Sequence, residues 1–130
     1  MSISKILVLF LLSPLIVIAC APASLSSPTS TTDLILAIST NPSPPKIGEV
    51  EINITLQDAQ GRALEGAEVT VTAEHTDMSG MEMEGKATEQ GQGRYAIRAH
   101  FSMSGNWTLR VQVRKNTLSY QRDFPLNILP

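Results

Sequence analysis

From residue 33 onward the apolar positions recur every second residue, not every third or fourth. In residues 49–56 (EVEINITL), Val50, Ile52, Ile54 and Leu56 point one way while Glu49, Glu51, Asn53 and Thr55 point the other. That is the period of a strand with one buried face. In AEVTVTAEH, residues 67–75, Val69, Val71, Ala73 and His75 share a face. In GRYAIRAHFSM, residues 93–103, Tyr95, Ile97, Ala99, Phe101 and Met103 do the same. NWTLRVQV aligns Trp107, Leu109, Val111 and Val113, and TLSYQRDFPLNIL aligns Leu118, Tyr120, Phe124, Leu126 and Ile128, with Arg122 as the one misfit. Turn signals separate the runs at Asn41-Pro42, Pro44-Pro45, residues 58–61, residues 91–93 and Gly105-Asn106. With DLILAIST from residue 33 and a weaker KATEQ near 86, about seven short strands result. The expectation is an all-β fold, an antiparallel β-sandwich of immunoglobulin-like type, with Trp107 as its central core aromatic.

The pattern before residue 33 is different. MSISK carries one positive charge, and ILVLFLLSPLIVIA, residues 6–19, is an apolar run broken by Ser13 and Pro14. It is short for a membrane-spanning helix and has the layout of an export signal. It ends in Val17-Ile18-Ala19-Cys20, which resembles the lipobox of bacterial lipoprotein signals. Residues 1–19 are therefore expected to be a signal peptide, with Cys20 lipidated and holding the protein on the outer side of a membrane. Cys20 is the only cysteine in the chain, so an intramolecular disulfide is ruled out. Residues 21–32, APASLSSPTSTT, lack charge and apolar bulk and read as a tether. Extended at about 3.1 Å per residue, this segment would reach roughly 35–40 Å. The folded domain is expected at 33–130, which leaves room for one core.

Charge narrows the partners. The formal net charge of the chain is −2, and removing Lys5 leaves 9 basic against 12 acidic side chains, a net of −3. No basic patch with interleaved aromatics occurs, so nucleic acid is an unexpected partner.

HTDMSGMEMEG, residues 75–85, does not fit a scaffold role. Apart from the initiator, the methionines are Met78, Met81, Met83 and Met103, and the histidines are His75 and His100. All six fall within residues 75–103. Thioether and imidazole are the donors that Cu(I) takes in an oxidising compartment, where free thiols are unsafe. In an extended segment Met81 and Met83 project to one side while Glu82 and Glu84 project to the other. That spacing suits a trigonal Cu(I) site completed by Met78, Met103 or a histidine. Three readings of the sulfurs stand side by side at this level: metal ligands, an adaptable surface for a protein partner, or packing over the end of the core. His75 is in phase with Val71 and can serve as an edge of the core. His100 is out of phase with Met103 and needs a bulge to join a common site.

These residues also resemble a family. Pro45 and Gly48, Asp58 with Gly61, Gly66-Ala67 with Val69 and Val71, the Met78–Met81–Met83 loop, Gly93 with Tyr95, and Phe101-x-Met103-x-Gly105-x-Trp107 are similar to the YtkA-like domain, which is related to the FixH-type domain. The likeness covers roughly residues 34–115. It implies an immunoglobulin-like sandwich outside the cytoplasm, concerned with copper handling or cytochrome oxidase assembly, with a copper protein or oxidase subunit as partner.

An enzyme is not expected. Two histidines with other roles, and carboxylates that alternate outward on strands, supply neither a nucleophile–base pair nor a carboxylate dyad. The sequence thus leads to a lipid-anchored binding domain of the cell envelope that takes Cu(I) at a Met/His rim. The alternative is a metal-free protein-interaction module.

Overall fold

A computed structural model describes residues 33–130; the signal peptide, Cys20 and the tether expected at 1–32 lie outside the described residues. Eight strands follow one another: β1 (Ile35–Asn41), β2 (Gly48–Gln57), β3 (Glu68–His75), β4 (Glu82–Lys86), β5 (Thr88–Gly91), β6 (Arg94–Phe101), β7 (Gly105–Lys115) and β8 (Leu118–Ile128). They form two antiparallel four-stranded sheets, with order β1-β2-β6-β5 in one and β4-β3-β7-β8 in the other. No helix occurs among the described residues, so none there is long and apolar enough to cross a membrane.

The two-residue period becomes the core directly. Val50, Ile52, Ile54 and Leu56 of β2 meet Leu109, Val111 and Val113 of β7 in one cluster, together with Val69, Val71 and Ala73 of β3. Tyr95 and Phe101 of β6 and Trp107 of β7 fill it out, all nearly inaccessible to solvent. The non-polar inner faces of two sheets thus cover each other, and non-directional burial of this kind is the main stabilising term of such a domain.

The expected weak strand near KATEQ resolves into two strands. β4 begins at Glu82, six residues after the Thr76 that follows β3, and it pairs with β3 in the register Ala73↔Met83 and Val71↔Gly85. Ala87 then carries the chain from one sheet to the other, its N–H donating to the Val69 carbonyl at 2.8 Å, and β5 joins β6. The count is therefore eight, and part of the presumed methionine loop is strand. β5 covers only the first residues of β6, because its pairing ends at Thr88↔Ala96. From Ile97 to Phe101, β6 has no neighbour on that side.

Arg122, the misfit of the last run, has a physical account. It pairs with Val111, so it sits on the inward face, yet it is exposed and lies 5.1 Å from the Phe124 ring centroid. β8 is a sheet edge and also carries Pro125. An inward-pointing charge and a proline are both devices that keep an edge from pairing with another chain.

Candidate metal centre

The β3–β4 turn and the β6–β7 connection lie at one end of the sandwich and are stitched together. The Thr76 N–H donates to the Asn106 carbonyl at 2.8 Å, and the His75 N–H donates to the Met81 carbonyl at 3.0 Å. His75 completes the stitch with its ring. Nδ1 accepts the Asp77 N–H at 3.2 Å, and Nε2 lies 3.4 Å from the Ser104 carbonyl. With Nδ1 accepting that bond, the Nε2 side of the ring is the one turned to the Ser104 carbonyl. The ring is only 6% exposed and meets Trp107 edge-on, with centroids 5.0 Å apart and planes at 72°. Both nitrogens are thus engaged in holding the turn, and His75 serves as its post.

Gly105 makes that arrangement possible. Its φ is +125°, and a Cβ there would stand 2.9 Å from His75 Nε2. Any side chain would both strain the backbone and displace the imidazole.

Burial alternates along residues 81–86, with Met81, Met83 and Gly85 half-buried and Glu82, Glu84 and Lys86 exposed. The expected opposition of sulfurs and carboxylates is what the strand displays. Met83 packs against the core. Glu84 turns to the outer face, where its carboxylate accepts the Thr72 hydroxyl at 3.2 Å.

Two shallow grooves meet at Met83. One, about 240 Å³, is lined by Met81, Met83, Gly80, Glu82, Ser102 and Trp107. The other, also about 240 Å³, opens between the sheets where β6 lacks a neighbour, and is lined by Val71, Ala73, Met83, Ile97, Ala99 and His100 among others. Gly85 closes the second groove at its floor, since a Cβ there would stand 2.7 Å from Ile97 Cδ1.

The six candidate ligands are thus placed unequally. Met81 and Met83 share a groove. Met78, 44% exposed, lies on the turn above. Met103 is half-buried on the connection after β6, whose strand ends at Phe101. His100 pairs with Glu49 in unbroken register and is exposed, so no bulge turns it inward; it reaches only the lip of the second groove. His75 is buried and hydrogen-bonded, as above.

Sequence reasoning placed Trp107 in the core but missed that it also lines the methionine groove. The signal was present in the Phe101-x-Met103-x-Gly105-x-Trp107 spacing, which sets the indole directly after the connection that faces the methionines.

The electrostatic setting is one-sided. Residues 63–85 carry six carboxylates and neither Lys nor Arg. The hydrogen bond to Asp123, with the nearby Asp123 charge and the more distant Glu74 and Glu82, raises the pKa of the Arg110 guanidinium on the outer face. No group of three or more His, Cys, Asp or Glu side chains that could hold a metal occurs among the described residues. Of the six candidate ligands, the two that come together in one groove are thioethers, which suit soft ions and bind hard ones poorly.

A search of curated proteins finds no match. The profile described as YtkA-like matches residues 30–112, a span that takes in β1 to β6, most of β7, and every residue of the methionine groove. With that match over more than half of its length, the chain belongs to the YtkA-like family.

Proposed function

We propose that this protein is a lipid-anchored, extracytoplasmic domain that binds Cu(I) through Met81 and Met83, in copper handling or oxidase assembly. The observation that carries the reading is the pair of half-buried sulfurs at the start of β4, Met81 just before the strand and Met83 within it, opening onto a groove with no competing carboxylate cluster. Met83 pairs with Ala73 of β3 and the Met81 carbonyl accepts the His75 N–H, so the thioethers are positioned before any ion arrives, which lowers the cost of binding. Met78 and Met103, both on the segments that border the groove, are the sulfurs available to complete the shell. The surrounding carboxylates add a general attraction for cations without serving as soft donors. The domain binds and does not catalyse; the YtkA-like family is not known for enzymatic activity.

The anchor rests on the Val17-Ile18-Ala19-Cys20 junction. It would hold the domain at a membrane surface, within reach of a membrane-embedded copper protein or oxidase subunit.

The test replaces sulfur without changing shape. Met81→Leu with Met83→Leu keeps volume and hydrophobicity but removes both donors. Cu(I) affinity measured by chelator competition is expected to fall at least about tenfold, about 1.4 kcal/mol. Glu82→Gln with Glu84→Gln is expected to leave it nearly unchanged. A double-leucine variant that binds Cu(I) as well as the parent refutes the proposal and favours the metal-free interaction module, whose apolar rim would tolerate leucine.

A further inference from the structure

We infer that Trp107 is part of the binding site, its indole face making a cation–π contact with the ion held by Met81 and Met83; this rests on the Cu(I) reading above. The first observation is position. Trp107 lines the same groove of about 240 Å³ as the two sulfurs, and no third sulfur and no imidazole lines it. Two thioethers alone leave a soft cation under-coordinated, and the indole is the one further soft group in the lining of that groove.

The second observation is independent of the first. Trp107 is 3% exposed, and its Nε1 is buried without a hydrogen-bond partner among the described residues. A buried donor with no acceptor bears its full desolvation cost, and such groups call for a reason. Phenylalanine would fill a core position with no donor to satisfy. What tryptophan adds is the most electron-rich ring available, the best of the aromatic faces for a cation.

The third observation is orientation. Phe101 meets Trp107 edge-on at 5.0 Å and 84°, and His75 does so at 5.0 Å and 72°. Two rings at steep angles fix the indole plane, so its orientation beside the groove is set in advance. His75 and Phe101 are therefore positioning residues for the ring. A ring contact also favours a singly charged soft ion over a hard divalent one, which would keep its water and prefer oxygen donors.

The experiment uses the full chain in detergent, titrated with Cu(I) under anaerobic conditions and, separately, with Ag(I) as a redox-inert soft ion. Trp107 is the only tryptophan in the chain, so indole signals belong to it alone. One equivalent of either ion is expected to quench its emission and shift its ring modes in ultraviolet resonance Raman, with the midpoint given by chelator competition. Trp107→Phe is expected to weaken affinity about threefold or more. If chelator competition shows binding to Met81 and Met83 while the ring modes stay unchanged, or if a folded Trp107→Phe variant binds with parental affinity, the inference is overturned and the Cu(I) reading survives. If the chain does not compete with the chelator for either ion, both fail together. Should Trp107→Phe not fold, the Raman measurement on the parent chain still decides.

Discussion

Replacing Tyr95 with phenylalanine isolates one tie between distant parts of the chain. The Tyr95 ring is 1% exposed, and its hydroxyl projects beyond the core to the connection between β2 and β3. There it donates to the Leu64 carbonyl at 2.9 Å and accepts the Ala67 N–H at 3.1 Å. Phenylalanine keeps the ring and its packing and deletes only the oxygen. Two backbone groups then lose their partner. A fully buried orphan costs about 1–3 kcal/mol, but Leu64 and Ala67 are half-buried, so water can satisfy part of the need. The expected loss is about 2 kcal/mol in total, toward the lower end for two groups. For a domain of this size that corresponds to roughly 8–16 °C in Tm. Urea unfolding measures it as a lower midpoint with an unchanged slope, because the surface exposed on unfolding is the same. A loss below about 0.5 kcal/mol, the ordinary range of surface substitutions, would refute the claim that this hydroxyl pins the connection.

The same residue makes a pH prediction. Burial pushes the Tyr95 hydroxyl above its usual pKa, against the opposing Ala67 hydrogen bond, and the Glu89 and Glu65 charges push it further up. The folded state therefore holds its proton more tightly than the unfolded chain. The stability this provides is fully present below the unfolded value of about 10 and is lost as pH rises through the folded value. Stability of the parent is expected to fall more steeply above about pH 10 than that of Tyr95→Phe. Parallel curves would show that the hydroxyl does not couple to folding.

Trp107→Ala is expected to cost about 3–5 kcal/mol by opening a cavity between His75 and Phe101, whereas Met81→Ala should cost less than about 1 kcal/mol; equal, large losses in chemical denaturation would make Met81 a core residue. Gly105→Ala is expected to destabilise by at least about 1–2 kcal/mol, from positive-φ strain and the 2.9 Å approach to His75 Nε2; a neutral result would mean that the imidazole moves freely. Cys20→Ser should release the chain from membranes or leave its signal uncleaved, and a variant that still fractionates with lipid after normal processing would overturn the anchor.

Much of this molecule follows from the chain read alone. A strand reports its burial through its own alternation, so β2, β6 and β7, each with one face in a dense core, announced themselves as strands and named most of the core residues. The opposition of Met81 and Met83 to Glu82 and Glu84 needed only the geometry of an extended backbone. Sheet membership is non-local, and no local period encodes it. The step at Ala87 from one sheet to the other depends on a hydrogen bond to Val69, so KATEQ looked like one weak strand when it is the junction of two. His75 shared a face with Val71 in the sequence pattern, yet its role was decided by Asp77 and by Ser104, the latter from a connection 29 residues away. Arg122 broke the alternation of β8 because its position is an exposed edge, a property of sheet order and not of the strand itself. Trp107 read as core on its period and is core, but only the approach of the β6–β7 connection to the β3–β4 turn set its ring beside two sulfurs. Pairing, edges and the meeting of loops arise from contacts between distant residues, and those exist only once the sheets have closed on each other.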